Sequence, residues 1–208
     1  MMKLYVHPMS SNARRAQMTA ILLGTPVETV FVDLQKGAQR SADYLALNPN
    51  GRVPTLVDDD FTLWESLAIT KYLAEKTPGQ TLYPTDARGK AVVDQWLSWA
   101  GNHWSAAIAQ LNFENFLKGM FGMGEPNAYA VERAEALFKD YAKTLDTQLG
   151  KTRFIVGETM TLADVAMAAP LMYVQLAKLP VEGLTSLGRW LEEMKATEAW
   201  KQTEPRMG

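Results

Sequence analysis

The sequence predicts two folding units of different class: a small α/β domain followed by a larger all-helical domain. Within the first 80 residues, short β-branched or aromatic runs alternate with helical patterns. A stretch containing Pro and Gly follows at residues 78–85, and beyond it no convincing strand pair appears. A chain of 208 residues is long enough for each unit to bury a core.

Each element of the first domain follows from its local pattern. Strands are predicted where β-branched and aromatic residues cluster, and helices where apolar residues recur at helical spacing. In chain order, the predictions are a strand at Lys3–Val6, a helix at Asn12–Leu23 ended by Gly24, a strand at Val27–Val32, a hairpin of strands at Val53–Val57 and Phe61–Leu63, and a helix at Glu65–Glu75. One crossover through a helix and one hairpin give a small mixed sheet with helices on its faces.

The second domain is predicted to contain helices alone. They run from Arg88 to about Lys118, from Ala128 to Leu149, from Thr161 to about Lys178, and from Leu184 to about Ala196. The first of these has apolar residues on two adjacent stripes, which is typical of a central helix covered on more than one side. We place the domains at residues 1–79 and 88–208, joined by a linker at 80–87.

Composition and charge exclude several functional classes. The formal net charge of −2 leaves no basic surplus to neutralise a phosphate backbone, so we expect no nucleic-acid partner. The absence of Cys excludes disulfides, thiolate metal sites and a protein-thiol nucleophile. With only two His residues, a His-rich metal site is also excluded, and we expect no bound metal.

The N-terminal residues lack the apolar stretch and the small-residue cleavage site of a signal peptide. The longest apolar run, Val165–Val174, is about half of what a membrane helix requires. We therefore expect a cytoplasmic protein that does not contact membranes.

Ser10-Ser11-Asn12 lies between the first strand and the first helix, and two interpretations are open. A hydroxyl at a helix start commonly caps an unpaired backbone N–H group. The same position can also stabilise an anion, because a helix N-terminus carries about half a positive charge. A Ser hydroxyl there can donate a hydrogen bond to a thiolate and so lower the pKa of that thiol.

Two further segments each allow a structural and a functional interpretation. Pro54 either opens an ordinary strand or follows a cis peptide bond. Ser66 either caps a helix or joins Glu65 in binding an amino-acid head group. In the second case the Glu65 carboxylate accepts from an α-ammonium group, while Ser66 and the helix N–H groups donate to an α-carboxylate.

Four stretches of this sequence, taken together, resemble one known family. They are His7–Arg15, Ala46–Pro54, Leu63–Ile69, and Phe154–Gly157 followed by the capping-box sequence Thr161–Asp164, which we interpret as structural. In order and spacing they resemble the glutathione transferases over essentially the whole chain. The closest likeness is to serine-type members of the theta and phi kind, and we expect a bacterial member.

The resemblance implies a thioredoxin-like N-terminal domain that binds glutathione and a helical domain that supplies most of the second-substrate pocket. It places the catalytic serine at Ser10, or at Ser11 if the loop is shifted by one residue. Tyr5, near the tyrosine of tyrosine-type enzymes, is the third candidate. Cysteine-type classes are excluded because the chain has no Cys.

The same resemblance assigns the glutathione contacts. Val53 would pair through its backbone with the cysteinyl part of glutathione, Pro54 would be the family's cis-proline, and Glu65 and Ser66 would contact the γ-glutamyl part. The remaining contacts are Gln39, Arg40 and Arg52 near the glycine carboxylate, and Asn102 and His103, which would reach the neighbour's glutathione across a homodimer. Gln39 departs from the basic residue of phi-type enzymes, so Arg40 is expected to provide the charge.

The second-substrate pocket is expected to be apolar, with core or loop filling as the alternative role of each residue. The candidates are Met9, Trp104, Ile108, Phe113, Phe116 and the loop Met120–Met123. Three functions stay open: a transferase that conjugates glutathione to apolar electrophiles, a glutathione-dependent peroxidase or disulfide reductase, and a non-catalytic binding protein. Glutathione is the cosubstrate in the first two, and no cofactor is needed.

Overall fold

The computed structural model describes residues 1–205, which form two compact units. One unit combines Met1–Tyr83 with the described residues from Thr197 onward, and the other spans Pro84–Ala196. The sequence analysis assigned everything after residue 88 to the helical domain. The structure instead groups the last described residues with the first unit.

A four-stranded mixed sheet forms the centre of the first unit. Its strands are β1 (Lys3–Val6), β2 (Glu28–Phe31), β3 (Thr55–Asp58) and β4 (Phe61–Trp64). The strand order is β2-β1-β3-β4, with β1 and β2 parallel and the other two pairs antiparallel. The predicted crossover and hairpin are therefore confirmed.

Three helices accompany this sheet: α1 (Ser11–Leu23), α2 (Ala42–Leu47) and α3 (Ser66–Lys76). Helices α1 and α3 pack against each other. Their inner faces join the sheet in a core whose fully buried members include Leu4, Ala13, Ala16, Leu56, Ile69 and Leu73. The sequence analysis had no prediction for α2, because its six residues bury only Tyr44 and so show no helical period.

The helical unit begins with one long helical stretch in which two π-helical turns interrupt the α-helix. It contains α4 (Ala87–Trp99), α5 (Ser105–Asn112) and α6 (Lys118–Met120), and π-helical turns at Ala100–Trp104 and Phe113–Leu117 connect them. The single predicted helix from Arg88 is thus continuous but not uniformly α-helical. Turns of this kind are frequent at functional sites.

The remaining helices of this unit are α7 (Ala128–Leu149), α8 (Leu162–Ala168) and α9 (Thr185–Ala196). Helix α7 has the predicted bounds. Helix α8 is shorter than predicted, because a 3₁₀ segment at Ala169–Tyr173 contains Pro170. Pro lacks the N–H group that an α-helix needs and its ring clashes with the carbonyl four residues earlier.

A short final helix, α10 (Glu198–Gln202), packs on α1 within the first unit. The Arg14 side chain, only 1% exposed, donates from Nη2 to the Trp200 carbonyl oxygen at 3.0 Å and from Nε to Thr203 Oγ1 at 3.1 Å. Its guanidinium carbon also lies 3.9 Å from the centroid of the Trp200 ring. These contacts account for the grouping of the last described residues with the first unit.

Within residues 1–205, every helix is too short or too polar to span a lipid bilayer.

Candidate functional site

The loop between β1 and α1 is held by the buried side chain of His7. Its Nδ1 atom accepts a hydrogen bond from the Met9 amide at 3.2 Å, and its carbonyl oxygen accepts from the Ser10 amide at 2.9 Å. Burial lowers the pKa of His7, and the charge of Asp33 opposes this only in part. The neutral imidazole is therefore favoured, with its proton on the other ring nitrogen.

Ser10 is the N-cap of α1. Its hydroxyl oxygen accepts from the Ala13 amide at 3.2 Å, and its carbonyl oxygen accepts from the Arg14 amide at 2.8 Å. The cap bond uses a lone pair of the hydroxyl, so the hydroxyl proton stays available to a ligand. Ser11 is the first residue of the helix, and its hydroxyl forms no hydrogen bond with any residue that the structure describes.

Glu65 and Ser66 lie where β4 passes into α3. Glu65 has φ 74° and ψ 111°, a backbone conformation that residues other than Gly rarely adopt, and its side chain is exposed. Strain of this kind clusters at ligand-binding positions. Ser66 follows as the first residue of the helix and is only 5% exposed.

Arg15 joins the N-terminal turns of α1 and α3. Its Nη1 atom donates to Ser66 Oγ at 2.7 Å and to Asn12 Oδ1 at 2.8 Å, and Asn12 Oδ1 lies 3.5 Å from Ser66 Oγ. The side chain is 2% exposed, and burial lowers the pKa of Arg15 to about 10, although the charge of Glu65 partly offsets that effect. The guanidinium is still a cation at neutral pH.

The turn before β3 contains a cis peptide bond between Val53 and Pro54, as the sequence analysis expected. Two side chains from α2 and the residue after it hold this turn. The Tyr44 hydroxyl and Asn48 Nδ2 each donate to the Arg52 carbonyl oxygen at 2.8 Å. The backbone of Val53 forms no hydrogen bond with another residue in the described part of the chain.

The three candidates for the glycine carboxylate have different surroundings. Arg40 and Arg52 are exposed, whereas Gln39 is half-buried and donates from Nε2 to the Leu34 carbonyl oxygen at 3.4 Å. Arg40 lies against Gly51, where a Cβ would come within 2.7 Å of its Nη1 atom. Gly51 has φ 57°, a backbone conformation that favours Gly, and its lack of a side chain leaves room for the Arg40 guanidinium.

Asn102 and His103 lie on the first π-helical turn of the helical unit and are exposed. They line a cavity of about 320 Å³ between α5 and α7, together with Tyr129, Arg133 and Tyr141. The His103 ring lies 5.6 Å from the ring of Tyr141.

The residues predicted to line the second-substrate pocket divide into two groups. Trp104 and Ile108 have no exposed surface, and Trp104 donates from Nε1 to the Met167 carbonyl oxygen at 2.9 Å. Their pocket assignment is therefore wrong in this structure, because they form the core of the helical unit. The others keep accessible surface: Met9, Phe113 and Phe116 are half-buried, and Met120 is 42% exposed.

Comparison with protein families gives two matches. Residues 1–75 match the model of the glutathione S-transferase N-terminal domain, and residues 128–200 match that of the glutathione S-transferase C-terminal domain. Glutathione S-transferase D7 of Drosophila melanogaster is 31% identical over 202 residues, which cover 96% of this chain and 87% of that protein. The chain belongs to the glutathione S-transferase family.

Further relatives support the same assignment. Glutathione S-transferase 3 of Zea mays is 35% identical over 212 residues, which cover 97% of this chain and 92% of that protein. Among solved structures, glutathione transferase F2 from Populus trichocarpa superimposes with a TM-score of 0.89 at 26% identity, covering 98% of this chain and 97% of that one. The expected thioredoxin-like domain, the helical domain and the glutathione transferase function are thereby confirmed.

In this glutathione transferase the sequence analysis assigned no role to two residues that support the candidate site, Arg15 and Asn48. Arg15 was detectable in principle, because two consecutive Arg residues flank the apolar stripe of α1 and at least one must reach toward the core. Asn48 gave no comparable signal, since its contacts with Arg52 and Thr55 form only when the cis turn is folded.

Proposed function

We propose that this chain is a serine-type glutathione transferase in which Ser10 donates a hydrogen bond to the thiolate of bound glutathione. The observation that carries the proposal is the Ser10 hydroxyl at the start of α1, with its oxygen bonded to the Ala13 amide and its proton uncommitted. A free thiol has a pKa of about 8.5, so only a few per cent is thiolate at neutral pH. Lowering that pKa by about two units requires about 2.7 kcal/mol, which a hydroxyl hydrogen bond and the helix dipole together can supply.

The binding contacts are proposed for three parts of glutathione. The open backbone of Val53 pairs with the cysteinyl part, and Glu65 with Ser66 binds the zwitterionic γ-glutamyl end. Arg40, supported by Arg52, binds the glycine carboxylate. The half-buried Gln39 contributes at most an amide contact. A solved structure of similar fold, glutathione S-transferase-I, is described as bound with lactoylglutathione, and its TM-score is 0.88 at 25% identity.

The second substrate is proposed to be a small apolar electrophile. The accessible candidates for its contacts are Met9, Phe113, Phe116 and Met120, since Trp104 and Ile108 are buried in the core. Unbranched Met side chains adapt their shape and suit a permissive pocket. The chemistry is attack by the glutathione thiolate, with no metal or organic cofactor.

We also propose a homodimer, in which Asn102 and His103 of one subunit approach the glutathione of the other. A half-buried aromatic cluster on α4 and α7, bordered by the exposed Val92, supports this proposal. Trp96 and Trp99 lie 5.6 Å apart, Trp99 and Tyr141 lie 5.5 Å apart, and Val92 beside them is 44% exposed. Surfaces of this kind mark sites of association. Bacterial origin and a cytoplasmic location stay predictions, as does the domain division at residues 80–87.

Parallel assays of the wild type and the Ser10→Ala variant test the proposed function. Three substrates distinguish the alternatives: a chloroaryl electrophile, an organic hydroperoxide and a mixed disulfide, each with glutathione. Conjugation of the chloroaryl compound that is lost in Ser10→Ala supports the proposal. Turnover of the hydroperoxide or the disulfide alone would assign a peroxidase or a reductase. Glutathione binding without turnover of any substrate would leave a binding protein.

A further inference from the structure

We infer that Arg15 is a positioning residue for the γ-glutamyl end of glutathione: it fixes the Ser66 hydroxyl as a hydrogen-bond donor toward the α-carboxylate of the ligand and places a buried positive charge behind it. The inference rests on the proposed glutathione site. Its basis is the contact of Arg15 Nη1 with Ser66 Oγ at 2.7 Å, between α1 and α3.

The direction of the Ser66 hydroxyl follows from this contact. Arg has only donors, so Ser66 Oγ must accept from Arg15, and its own proton must point elsewhere. Within residues 1–205, the acceptor in reach of this proton is Asn12 Oδ1 at 3.5 Å, which is at the limit of a hydrogen bond and already accepts from Arg15 at 2.8 Å. A carboxylate oxygen of a ligand is a better acceptor for this proton.

The charges around Ser66 match a zwitterion. The cation of Arg15 is buried behind the hydroxyl, and the N-terminal amides of α3, an eleven-residue helix, add partial positive charge. Glu65, the preceding residue, carries an exposed carboxylate. A ligand that places a carboxylate at Ser66 and an ammonium group at Glu65 would be complementary to the positive charge near Ser66 and to the negative charge of Glu65.

A buried Arg that served only to fill space would be unfavourable for the stability of the fold. Removing a guanidinium from water is costly unless it is paired and hydrogen-bonded, and an apolar side chain of similar volume would often be neutral or better for stability. The Nη1 atom of Arg15 donates to Asn12 in the first turn of α1 and to Ser66 in the first turn of α3, and both turns belong to the proposed ligand subsite. A role in ligand recognition accounts for retaining the charge there.

The test compares two ligands by calorimetry: glutathione, and an analogue whose γ-glutamyl α-carboxylate is converted to an amide. The wild type is expected to prefer glutathione by about ten- to hundredfold, the range of one charge-assisted hydrogen bond. Arg15→Met should reduce this preference to less than about threefold, and Arg15→Lys, which keeps the charge but loses the planar fork, should restore part of it.

The matched control is Asn12→Ala, which removes an acceptor at 2.8 Å from the same Nη1 atom but leaves the contact to Ser66. It should keep the wild-type preference. In the double variant Arg15→Lys/Ser66→Ala, the preference should be no lower than in Ser66→Ala alone, since Arg15 acts through Ser66. If Arg15→Met does not fold, the comparison of Arg15→Lys with the wild type and with the double variant decides the question.

The outcomes separate this inference from the proposed function. A wild type that binds neither ligand would reject the glutathione site itself. A wild type that prefers glutathione, with Arg15 variants that lose affinity for both ligands equally, would overturn the positioning role and leave the site intact. Loss of the preference in folded Arg15 variants supports it.

Discussion

The hydroxyl oxygen of Ser10 accepts a hydrogen bond from the Ala13 amide at 3.2 Å, so the proposed catalytic residue is also the cap of α1. The two interpretations that the sequence left open are therefore compatible. The cap bond uses the oxygen, and the proposed thiolate contact uses the proton. The cap also fixes the hydroxyl at the positive end of the helix, where both effects favour an anion.

Ser10→Ala should raise the pKa of bound glutathione by between about one and two units, because it removes the hydroxyl hydrogen bond but leaves the helix dipole, and it should lower kcat/KM about tenfold at neutral pH. Its affinity for glutathione should change little, because binding depends on other groups. Loss of the cap should also cost about 1 kcal/mol of stability. The thiolate absorbance as a function of pH gives the pKa, and chemical denaturation gives the stability. Ser11→Ala is the control, and a larger loss of activity in that variant would shift the catalytic assignment to Ser11.

Glu65→Gln and Ser66→Ala should each weaken glutathione binding by about ten- to hundredfold, since each removes a charge-assisted hydrogen bond. Glu65→Gln keeps the shape of the side chain and changes only its charge. Calorimetry with glutathione measures both losses. Wild-type affinity in both variants would reject the assignment of the γ-glutamyl contacts to this turn.

The sequence predicted most of the fold because its signals were local. Gly24, for example, ends α1 in the left-handed conformation with φ 64°, as the pattern indicated. Features that depend on tertiary contacts leave no local pattern in the sequence, so they could not be predicted. The burial of Trp104 and the bonds of Asn48 arise only in the folded chain, so a large aromatic residue was assigned to a pocket and a binding-turn residue was missed.

Asp164→Ala should lower the free energy of unfolding by about 3 kcal/mol or more, because buried donors lose their acceptor. Asp164 accepts from the Thr161 amide at 2.8 Å and from its hydroxyl at 3.2 Å, which completes the predicted capping box. It also accepts from the Ile155 amide at 3.0 Å and from Trp190 Nε1 at 2.9 Å, two contacts that the sequence did not reveal.

The control for this prediction is Asp146→Ala. Asp146 is half-buried and accepts from the Leu187 amide at 2.8 Å, so its loss should cost about 1 kcal/mol. Thermal and chemical unfolding measure both variants. The folded fraction of Asp164→Ala should keep normal kinetics; wild-type stability combined with lost activity would assign Asp164 to the chemistry instead of the fold.

His7 should make the free energy of unfolding fall as the pH drops below about 6.5, toward its lower folded-state pKa. Its folded-state pKa lies below 6.5, so the unfolded chain binds the proton first. The contribution to stability is complete above about pH 6.5 and is lost as the pH falls toward the folded-state pKa. His7→Asn keeps an acceptor for the Met9 amide and does not titrate, so its stability should depend less on pH. Equal slopes in the two proteins, measured by denaturation at each pH, would contradict this.

The partly exposed aromatic surface of α4 and α7 leads to a prediction on oligomeric state. A stable isologous dimer would bury about 2,000 Å² or more in total, so its subunits should stay associated. Sedimentation should therefore give about twice the subunit mass of 23.2 kDa. Val92→Glu should produce monomers, because it introduces a charge beside Trp96 on that surface. Leu176→Glu is a matched control, with the same 44% exposure as Val92 and a position outside the aromatic surface.

If Asn102 or His103 reaches the neighbour's glutathione, the monomers should also bind glutathione more weakly. A wild type of about 23 kDa with full activity at micromolar concentration would reject both the dimer and the cross-subunit role.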